Sequence, residues 1–151
     1  MTGFFSKERF ARSETHYASG CRNCLAHGYV AGAMAKFIDS FDKNRDRLWI
    51  AEMGGTIMGS VAVMDAGGGT AQLRWFILEP QLRGQGIGKK LIRDAVEFCT
   101  DKKYSSVILW TFDDLKAARA LYEKNGFRIS KTVKHKIWGQ DITEELWKLE
   151  L

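Results

Sequence analysis

Three glycines at every second position, flanked by basic residues, form a short stretch that joins an apolar segment to an amphipathic one. The stretch reads RGQGIG over residues 83–88, and Lys89 and Lys90 follow it. Glycine lets a backbone approach a ligand closely and adopt a positive φ. The unpaired N–H groups at the start of a following helix, together with the helix dipole, attract an anion. The stretch therefore predicts a loop that holds a diphosphate group.

Two better-known phosphate-binding loops do not fit this stretch. The dinucleotide loop G-x-G-x-x-G requires a third glycine where Lys89 stands. The nucleoside triphosphate loop G-x-x-x-x-G-K-[ST] requires a glycine at Arg83 and a Ser or Thr at Lys90. A glycine-rich entry to a helix that binds no ligand remains as an alternative.

The periodicity of apolar residues predicts the elements that must position the loop. Strands are predicted over residues 48–53, 56–65, 70–78, 106–111, 127–133 and 145–151, and helices over residues 29–41, 86–100 and 115–124. Alternation along the third strand is expected to place Leu73, Trp75 and Ile77 on one face and Gln72, Arg74 and Phe76 on the other. A strand meander followed by helix–strand alternation indicates an α+β fold, a mixed and mainly antiparallel sheet with flanking helices.

Length and composition set further limits. With 151 residues and 45% hydrophobic residues, the chain is expected to form a single domain over residues 1–151, with an atypical or poorly ordered segment over residues 1–27. No apolar run approaches the roughly 18 residues that cross a bilayer, and no secretory signal is recognisable. A cytoplasmic protein without a membrane partner is therefore expected. The net charge of +5 is too dispersed to predict nucleic-acid binding.

Two ordered motifs carry a family resemblance. The motif R-x-x-G-x-G over residues 83–88 and the motif LYEKNGF over residues 121–127 resemble the two sequence elements of the GNAT superfamily of acyl-CoA-dependent N-acyltransferases. The resemblance covers residues 48–151. A narrower resemblance, over residues 48–52, 70–76, 109–111 and 117–119, is to the acetyltransferase half of proteins that fuse a MarR-type DNA-binding domain to a GNAT domain. Residues 1–47 leave no room for a winged helix, so a stand-alone version or a fragment of a larger regulator is expected, without DNA binding.

The resemblance implies a GNAT-type fold and an N-acetyltransferase. Such an enzyme transfers the acetyl group of acetyl-CoA to a primary amine of a small molecule, amino acid or peptide by direct attack in a ternary complex. The resemblance implies no metal, and it is compatible with a homodimer. By resemblance, the pantetheine arm lies along residues 74–78, the pyrophosphate lies on the loop amides, and residues 106–111 splay away to admit the cofactor. The implied cofactor-binding residues are Phe76, Ile77, Leu78, Arg83, Gly84, Gln85, Gly86, Ile87, Gly88 and Lys89.

The resemblance also assigns the catalytic acid. Tyr122 matches the family position that protonates the departing thiolate, although a Tyr that only packs between helix and sheet is the alternative. The base that deprotonates the amine is open: Glu79 is the first choice, and Glu52, Asp113 and His135 are the others. Asp113 also fits as the N-cap of the next helix.

Four side chains are candidates for the acceptor pocket. These are Gln72, Arg74, Trp110 and Trp138. A buried arginine needs a partner, so Arg74 is expected to pair with an internal carboxylate or with a carboxylate of the acceptor.

Two features favour other interpretations. Leu115 stands where many family members carry Asn, which favours a non-catalytic acyl-CoA-binding sensor or interaction domain. A zinc site is a second alternative, because four side chains that can ligate zinc lie within one short segment: His16, Cys21, Cys24 and His27. Two free thiols are the expectation there, because the spacing is compressed.

Overall fold

The computed structural model describes the backbone of residues 24–137 and 140–151, and the side chains of residues 31–136 and 142–151. The chain divides into two compact units, Met1–Phe41 and Asp42–Leu151. In the first unit, helix α1 spans Cys24–Asp39 and buries Met34 and Phe37. The helix predicted over residues 29–41 is therefore present, with an earlier start and end. The prediction of one domain over the whole chain stays a prediction.

The second unit is a mixed sheet packed against two helices. Its elements are, in chain order, β1 (Arg47–Met53), β2 (Thr56–Gly67), β3 (Thr70–Leu78), a 3₁₀ turn (Pro80–Leu82), α2 (Ile87–Asp101), β4 (Ser106–Phe112), α3 (Lys116–Lys124), β5 (Arg128–Ile137) and β6 (Gln140–Glu150). Within the described chain, six strands run in the order β1-β2-β3-β4-β6-β5. All neighbours are antiparallel except β3 and β4. The predicted α+β class and mainly antiparallel sheet are confirmed.

One face of this sheet forms the core. Apolar residues at alternating strand positions pack with the inward faces of α2 and α3, since side chains repeat every second residue in a strand and every 3.6 residues in a helix. The cluster contains Val61, Val63, Ala71, Leu73, Leu91, Ile92, Ala95, Phe98, Val107, Leu109, Tyr122, Phe127 and Trp147. Burial of each large apolar side chain contributes roughly 1.5–3 kcal/mol, so this face fixes both helices to the sheet.

The third strand departs from simple alternation. The register between β2 and β3 shifts between Ser60 and Ala62, so β3 carries an extra residue opposite this point. Trp75 lies at the irregularity with φ of 49°, a left-handed value that is unusual for a residue other than glycine. Leu73 belongs to the core, and Phe76 packs against the same core. The predicted assignment of Leu73 and Phe76 to opposite faces is therefore wrong, because the bulge changes the phase of the strand.

The central pair of strands separates along its length. The parallel strands β3 and β4 pair only through Thr70–Ser106, Ala71–Val107 and Gln72–Ile108. Beyond this point β4 continues to pair with β6 as far as Phe112, and β3 continues to pair with β2 as far as Leu78. Within the described chain, one edge of each central strand is thus left without a ladder partner. The two strands form an opening at the end of the sheet where β3 leads into the glycine-rich loop.

Candidate functional site

The open edge of β3 carries the backbone groups of Phe76 and Leu78. The N–H of Glu79 donates to the carbonyl of Met58 at 2.8 Å, so Glu79 points toward β2. Backbone groups of successive strand residues point to opposite edges. Phe76 and Leu78 therefore direct their N–H and C=O groups toward β4, into the opening. Main-chain donors and acceptors are available there to an extended amide-containing chain.

The glycine-rich loop follows directly and turns the chain into α2. Gly84 and Gly86 have φ of 76° and 78°, the left-handed values for which glycine carries no steric penalty. Gly86 is the N-cap of α2, and no side-chain hydrogen bond caps this end of the helix among the residues that the structure describes. The N–H of Lys90 makes a helical bond of 3.0 Å to the Gly86 carbonyl. The preceding N–H groups of the first turn have no intrahelical acceptor, which leaves them available to an anion.

Gly86 and Gly88 serve different physical purposes. A Cβ atom added at Gly86 would meet no atom of the described chain within 4 Å, so its φ is the described feature that requires glycine. Gly88 is buried, and an added Cβ would lie 3.3 Å from Cζ of Phe76 and 3.4 Å from Cδ2 of Leu121. Gly88 therefore lets α2 pack closely against β3 and α3. The alternating glycines combine a backbone turn with a packing contact.

The basic residues beside the loop are not equivalent. Lys89 is exposed and forms no ion pair with the residues that the structure describes. Lys90 pairs with Asp94 one turn later on α2. The guanidinium of Arg83 is exposed, and its Nε donates to the carbonyl of Leu78 at 3.2 Å. Positive charge at the loop thus comes from Arg83 and Lys89, while that of Lys90 is offset by a carboxylate.

Tyr122 lies at the inner wall of this site. Its ring contacts those of Phe76, Phe127 and Trp147, with centroids 6.0, 6.1 and 6.2 Å away. Removal from water raises the pKa of Tyr122 to about 12. In the described structure its hydroxyl makes no hydrogen bond, although buried tyrosine hydroxyls usually find a partner. A protonated donor without a partner therefore lies beside Phe76, whose backbone lines the opening.

Glu79 is a base candidate on the β3 side of the opening. It directly follows Leu78 at the end of β3, is half-buried, and forms the N-cap of the 3₁₀ turn without a side-chain hydrogen bond. Its neighbour in sequence, Pro80, begins the 3₁₀ turn and cannot donate a ladder hydrogen bond, so β3 ends before it.

Of the other three base candidates, two lie away from the opening, and Asp113 follows the end of β4 that borders it. Glu52 is on β1, separated from β4 by two strands. His135 is on the edge strand β5, where Nε2 lies 3.1 Å from Oε2 of Glu144. Asp113 is exposed just after β4, and its N–H donates to the Thr143 carbonyl at 3.1 Å. The N-cap of α3 is Leu115, so the prediction of Asp113 as the cap is wrong.

Three of the four acceptor-pocket candidates share the sheet face opposite the two helices. The parallel register pairs Gln72 with Ile108, so alternation places Gln72, Arg74 and Trp110 on one face. Trp110 is 38% exposed. The guanidinium of Arg74 lies 4.9 Å from the centroid of the Trp75 ring, and its Nη1 lies 3.9 Å from Sδ of Met64. No carboxylate of a described residue pairs with Arg74, so the expected internal partner is not found in that part of the chain. Trp138 lies outside the described residues.

A buried ionic cluster beside Tyr122 was not anticipated from the sequence. The carboxylate of Glu145, on β6, accepts from Nε and Nη2 of Arg119, on α3, at 2.9 and 3.1 Å. Nε1 of Trp147 donates to the same carboxylate at 2.9 Å. Glu145 is 5% exposed. A signal was present, since Glu145 shares the inward alternation of Trp147 and Leu149, where an apolar residue is expected.

The candidate metal ligands give no described site. His16 and Cys21 lie outside the described residues, and only the backbone of Cys24 and His27 is described. Across the described residues no group of three or more His, Cys, Asp or Glu side chains converges as metal ligands would. Cys99 is a buried free thiol, and removal from water raises its pKa to about 12. None of the helices described here is long and apolar enough to cross a membrane.

Comparison with known protein families and proteins adds independent information. Residues 15–127 match the family model described as "Acetyltransferase (GNAT) family". N-acetyltransferase family 8 member 2 of Rattus norvegicus is 36% identical over 113 residues, which cover 72% of this chain and 50% of that protein. N-acetyltransferase 8B of Mus musculus is 40% identical over 106 residues, which cover 67% of this chain and 42% of that protein. The matches thus span about half the length of these relatives.

Solved structures share the fold. A ribosomal-protein-alanine N-acetyltransferase from Brucella melitensis superposes with a TM-score of 0.75 at 16% identity, covering 99% of this chain and 98% of that chain. A GNAT family acetyltransferase from Elizabethkingia anophelis with acetyl-CoA bound gives a TM-score of 0.64 at 21% identity, covering 80% and 82%. The splayed central strands, the glycine-rich loop and the family match over residues 15–127 agree, and the chain belongs to the acetyltransferase (GNAT) family.

Proposed function

We propose that this protein transfers the acetyl group of acetyl-CoA to a primary amine of a small molecule, amino acid or peptide. The observation that carries the proposal is the separation of β3 from β4 after Gln72 and Ile108, directly before the glycine-rich loop. An extended amide chain that ends in a diphosphate has two needs: a strand edge without a ladder partner and an anion site beyond it. Both are present in that order along the chain.

The residues at the opening fit coenzyme A. The backbone of Phe76 and Leu78 would bond the amides of the pantetheine arm, with Ile77 between them. The amides of the loop and first helical turn would hold the pyrophosphate, and Arg83 and Lys89 would supply positive charge. The loop residues assigned to this role are Arg83, Gly84, Gln85, Gly86, Ile87, Gly88 and Lys89. Open space around Gly84 and Gly86 supports the assignment, because a ligand is able to approach the backbone there.

The same arrangement suggests how transfer proceeds. The amine nitrogen forms a bond to the thioester carbonyl carbon, and a backbone N–H of β3 stabilises the oxyanion. The carbon–sulfur bond then breaks, and Tyr122 donates a proton to the departing thiolate. Two features support this role for Tyr122: its hydroxyl has no partner among the described residues, and burial raises its pKa to about 12. The amine must lose a proton to attack, and Glu79 is the base that we favour because it stands at the mouth of the opening and is half-buried, whereas Asp113 is exposed.

The acceptor would enter from the sheet face that carries Gln72, Arg74 and Trp110. Trp110 offers an exposed aromatic surface, and Arg74 offers a half-buried cation without a carboxylate partner in the described chain. The two relatives compared above are named N-acetyltransferases, which agrees with a nitrogen acceptor.

Three further expectations remain predictions. They are a cytoplasmic location, a homodimer, and a closer kinship to the acetyltransferase half of MarR-type fusion proteins. Reading frames beside the coding sequence would test whether the chain is a fragment of a larger regulator, and sedimentation velocity would test the homodimer.

The decisive experiment combines calorimetry with a thiol-release assay over a panel of amines. Binding of acetyl-CoA and amine-dependent release of coenzyme A are expected. Gly86→Val should abolish both, because valine is strained at a φ of 78°. Gly54→Val, a substitution of the same kind in the β1–β2 turn at a φ of 58°, is the control for general strain. Binding without turnover on any amine would instead support the sensor, and absence of binding would overturn the assignment altogether.

A further inference from the structure

The cluster of Arg119, Glu145 and Trp147 joins a helix to a strand through three hydrogen bonds on one carboxylate. Arg119 makes a two-pronged contact that fixes the planar guanidinium against the carboxylate. Its guanidinium also lies 6.0 Å from the centroid of the Trp147 ring. Glu145 is almost wholly buried, so these contacts replace its hydration. The three side chains therefore form one closed unit between α3 and β6.

This unit is connected to Tyr122 in two ways, through helix α3 and through the ring of Trp147. Arg119 precedes Tyr122 by three residues on α3, so both side chains lie on the same face of the helix. Trp147, whose Nε1 is held by Glu145, presents its ring to Tyr122 with centroids 6.2 Å apart. Both the helix that carries Tyr122 and one wall of its ring are thus anchored to the same carboxylate.

The unit also lies on the flank of the opening. Glu145 pairs in register with Thr111 of β4, and Trp147 pairs with Leu109. These are the β4 residues that lie beyond the last contact with β3 at Ile108. In this part of the described sheet, β4 is supported on one edge only, by β6. The ionic cluster therefore ties α3 to the strand that supports the free half of β4.

We propose that Arg119, Glu145 and Trp147 are positioning residues that hold the Tyr122 hydroxyl at the opening between β3 and β4. This inference rests on the proposed acetyltransferase function and extends it to three residues outside the glycine-rich loop. The cluster acts through Tyr122 and touches neither the acyl donor nor the amine. Loosening the cluster leaves the loop intact, so acetyl-CoA is still bound, but the acid is displaced from the thiolate that it protonates.

A double-mutant cycle tests the proposal. Tyr122→Phe removes the acid and is expected to lower kcat by about 100-fold or more. Glu145→Gln removes the charge from the carboxylate and is expected to lower kcat by roughly 10-fold, with the KM for acetyl-CoA unchanged. In the Tyr122→Phe background, Glu145→Gln should lower kcat by less than about 2-fold, because a positioning residue has nothing left to position. A purely structural role would give the same fold-loss in both backgrounds.

Three controls keep the outcomes distinct. Glu150→Gln, on the same strand but exposed, is expected to leave kcat unchanged. Arg119→Lys keeps the charge and loses the two-pronged contact, and it provides a second cycle should Glu145→Gln fail to fold. Calorimetry with acetyl-CoA reports the folded, binding-competent fraction of each variant. The positioning role would be overturned if the cluster substitution lowered kcat by the same factor with and without Tyr122 in both cycles, or if it changed only the KM. In either case, turnover by the wild type would leave the proposed function standing. Absence of wild-type turnover would overturn both.

Discussion

The hydroxyl of Ser60 on β2 donates a 2.9 Å hydrogen bond to the main-chain carbonyl of Trp75, the residue of β3 that has a φ of 49°. Ser60 is 7% exposed, so the bond is shielded from water. It spans the point where the register of the two strands shifts. A left-handed residue in the middle of a strand is costly and persists only where its surroundings hold it. Ser60 is part of that support, directly before the open edge of β3.

Replacement of Ser60 by Ala should therefore lower stability and loosen the opening together. The Trp75 carbonyl would lose its side-chain donor, which costs about 1–2 kcal/mol for a shielded group. Urea denaturation should show this as a lower midpoint with an unchanged slope. The KM for acetyl-CoA should rise as well. Ser130→Ala, on the exposed surface of β5, is the matched control and should change neither quantity; equal effects of the two substitutions would contradict the supporting role of Ser60.

Much of the fold could be predicted because its signals are local. The predicted strand over residues 70–78 agrees with the structure residue for residue, since Pro80 and the glycines at residues 67–69 mark its ends. The break predicted between the strands over residues 48–53 and 56–65 is also present, as a turn in which Gly54 and Gly55 have φ of 58° and 79°. The bulge at Trp75 could not be predicted in the same way. It depends on the hydrogen bond from Ser60, fifteen residues away on the neighbouring strand.

The candidate site likewise has one part that is encoded by adjacent residues and one part that is formed by residues distant in sequence. The loop over residues 83–88 was identifiable because a backbone turn and a helix start are encoded by adjacent residues. Arg119 and Glu145 are separated by 26 residues and meet only after α3 packs on β6. A single inward-facing charge on a strand indicates that a partner is needed, but the sequence does not say which residue supplies it.

The two glycines of the loop motif should fail in different ways when replaced. At Gly86, Asn should be tolerated better than Val, because Asn adopts left-handed backbone conformations more readily. At Gly88 the φ is not positive, and Ala requires only that Phe76 and Leu121 give way by a few tenths of an ångström. Val at Gly88 should force α2 away from β3 and lower stability by roughly 1–3 kcal/mol. Calorimetry with acetyl-CoA and urea denaturation of the four variants would check this order, and Asn as damaging as Val at Gly86 would contradict it.

The pH dependence of the reaction should show that Tyr122 stays protonated. Its pKa rises from 10.0 to about 12 on burial. Below pH 10.0 the residue holds its proton in both the folded and the unfolded chain, so it contributes no pH dependence to stability. As the pH rises from 10.0 toward about 12, the unfolded chain releases this proton while the folded chain keeps it, so the free energy of unfolding falls.

Two measurements check this. Tyrosinate formation should be followed by ultraviolet absorbance as the pH is raised, in the wild type and in Tyr122→Phe. The increase at the highest pH should be present in the wild type and absent from Tyr122→Phe, which assigns it to Tyr122. The profile of kcat should show no descending limb from this residue at pH values up to 10.0. A descending limb below that pH that disappears in Tyr122→Phe would contradict this, because it would show that Tyr122 loses its proton at a lower pH than its raised pKa allows.

Replacement of Arg74 by Gln should affect the amine and spare the acyl donor. Arg74 is half-buried on the face shared with Gln72 and Trp110, and no described carboxylate neutralises it. An anionic group on the acceptor would gain a charge-assisted hydrogen bond there, worth about 1.5–3 kcal/mol. Arg74→Gln should therefore raise the KM by roughly 10-fold or more for amines that carry a carboxylate, and by less for amines that do not. Arg93→Gln, an exposed arginine of α2, is the control and should leave the ratio unchanged. An equal rise for both kinds of amine would mean that Arg74 supports the strand and does not select the acceptor.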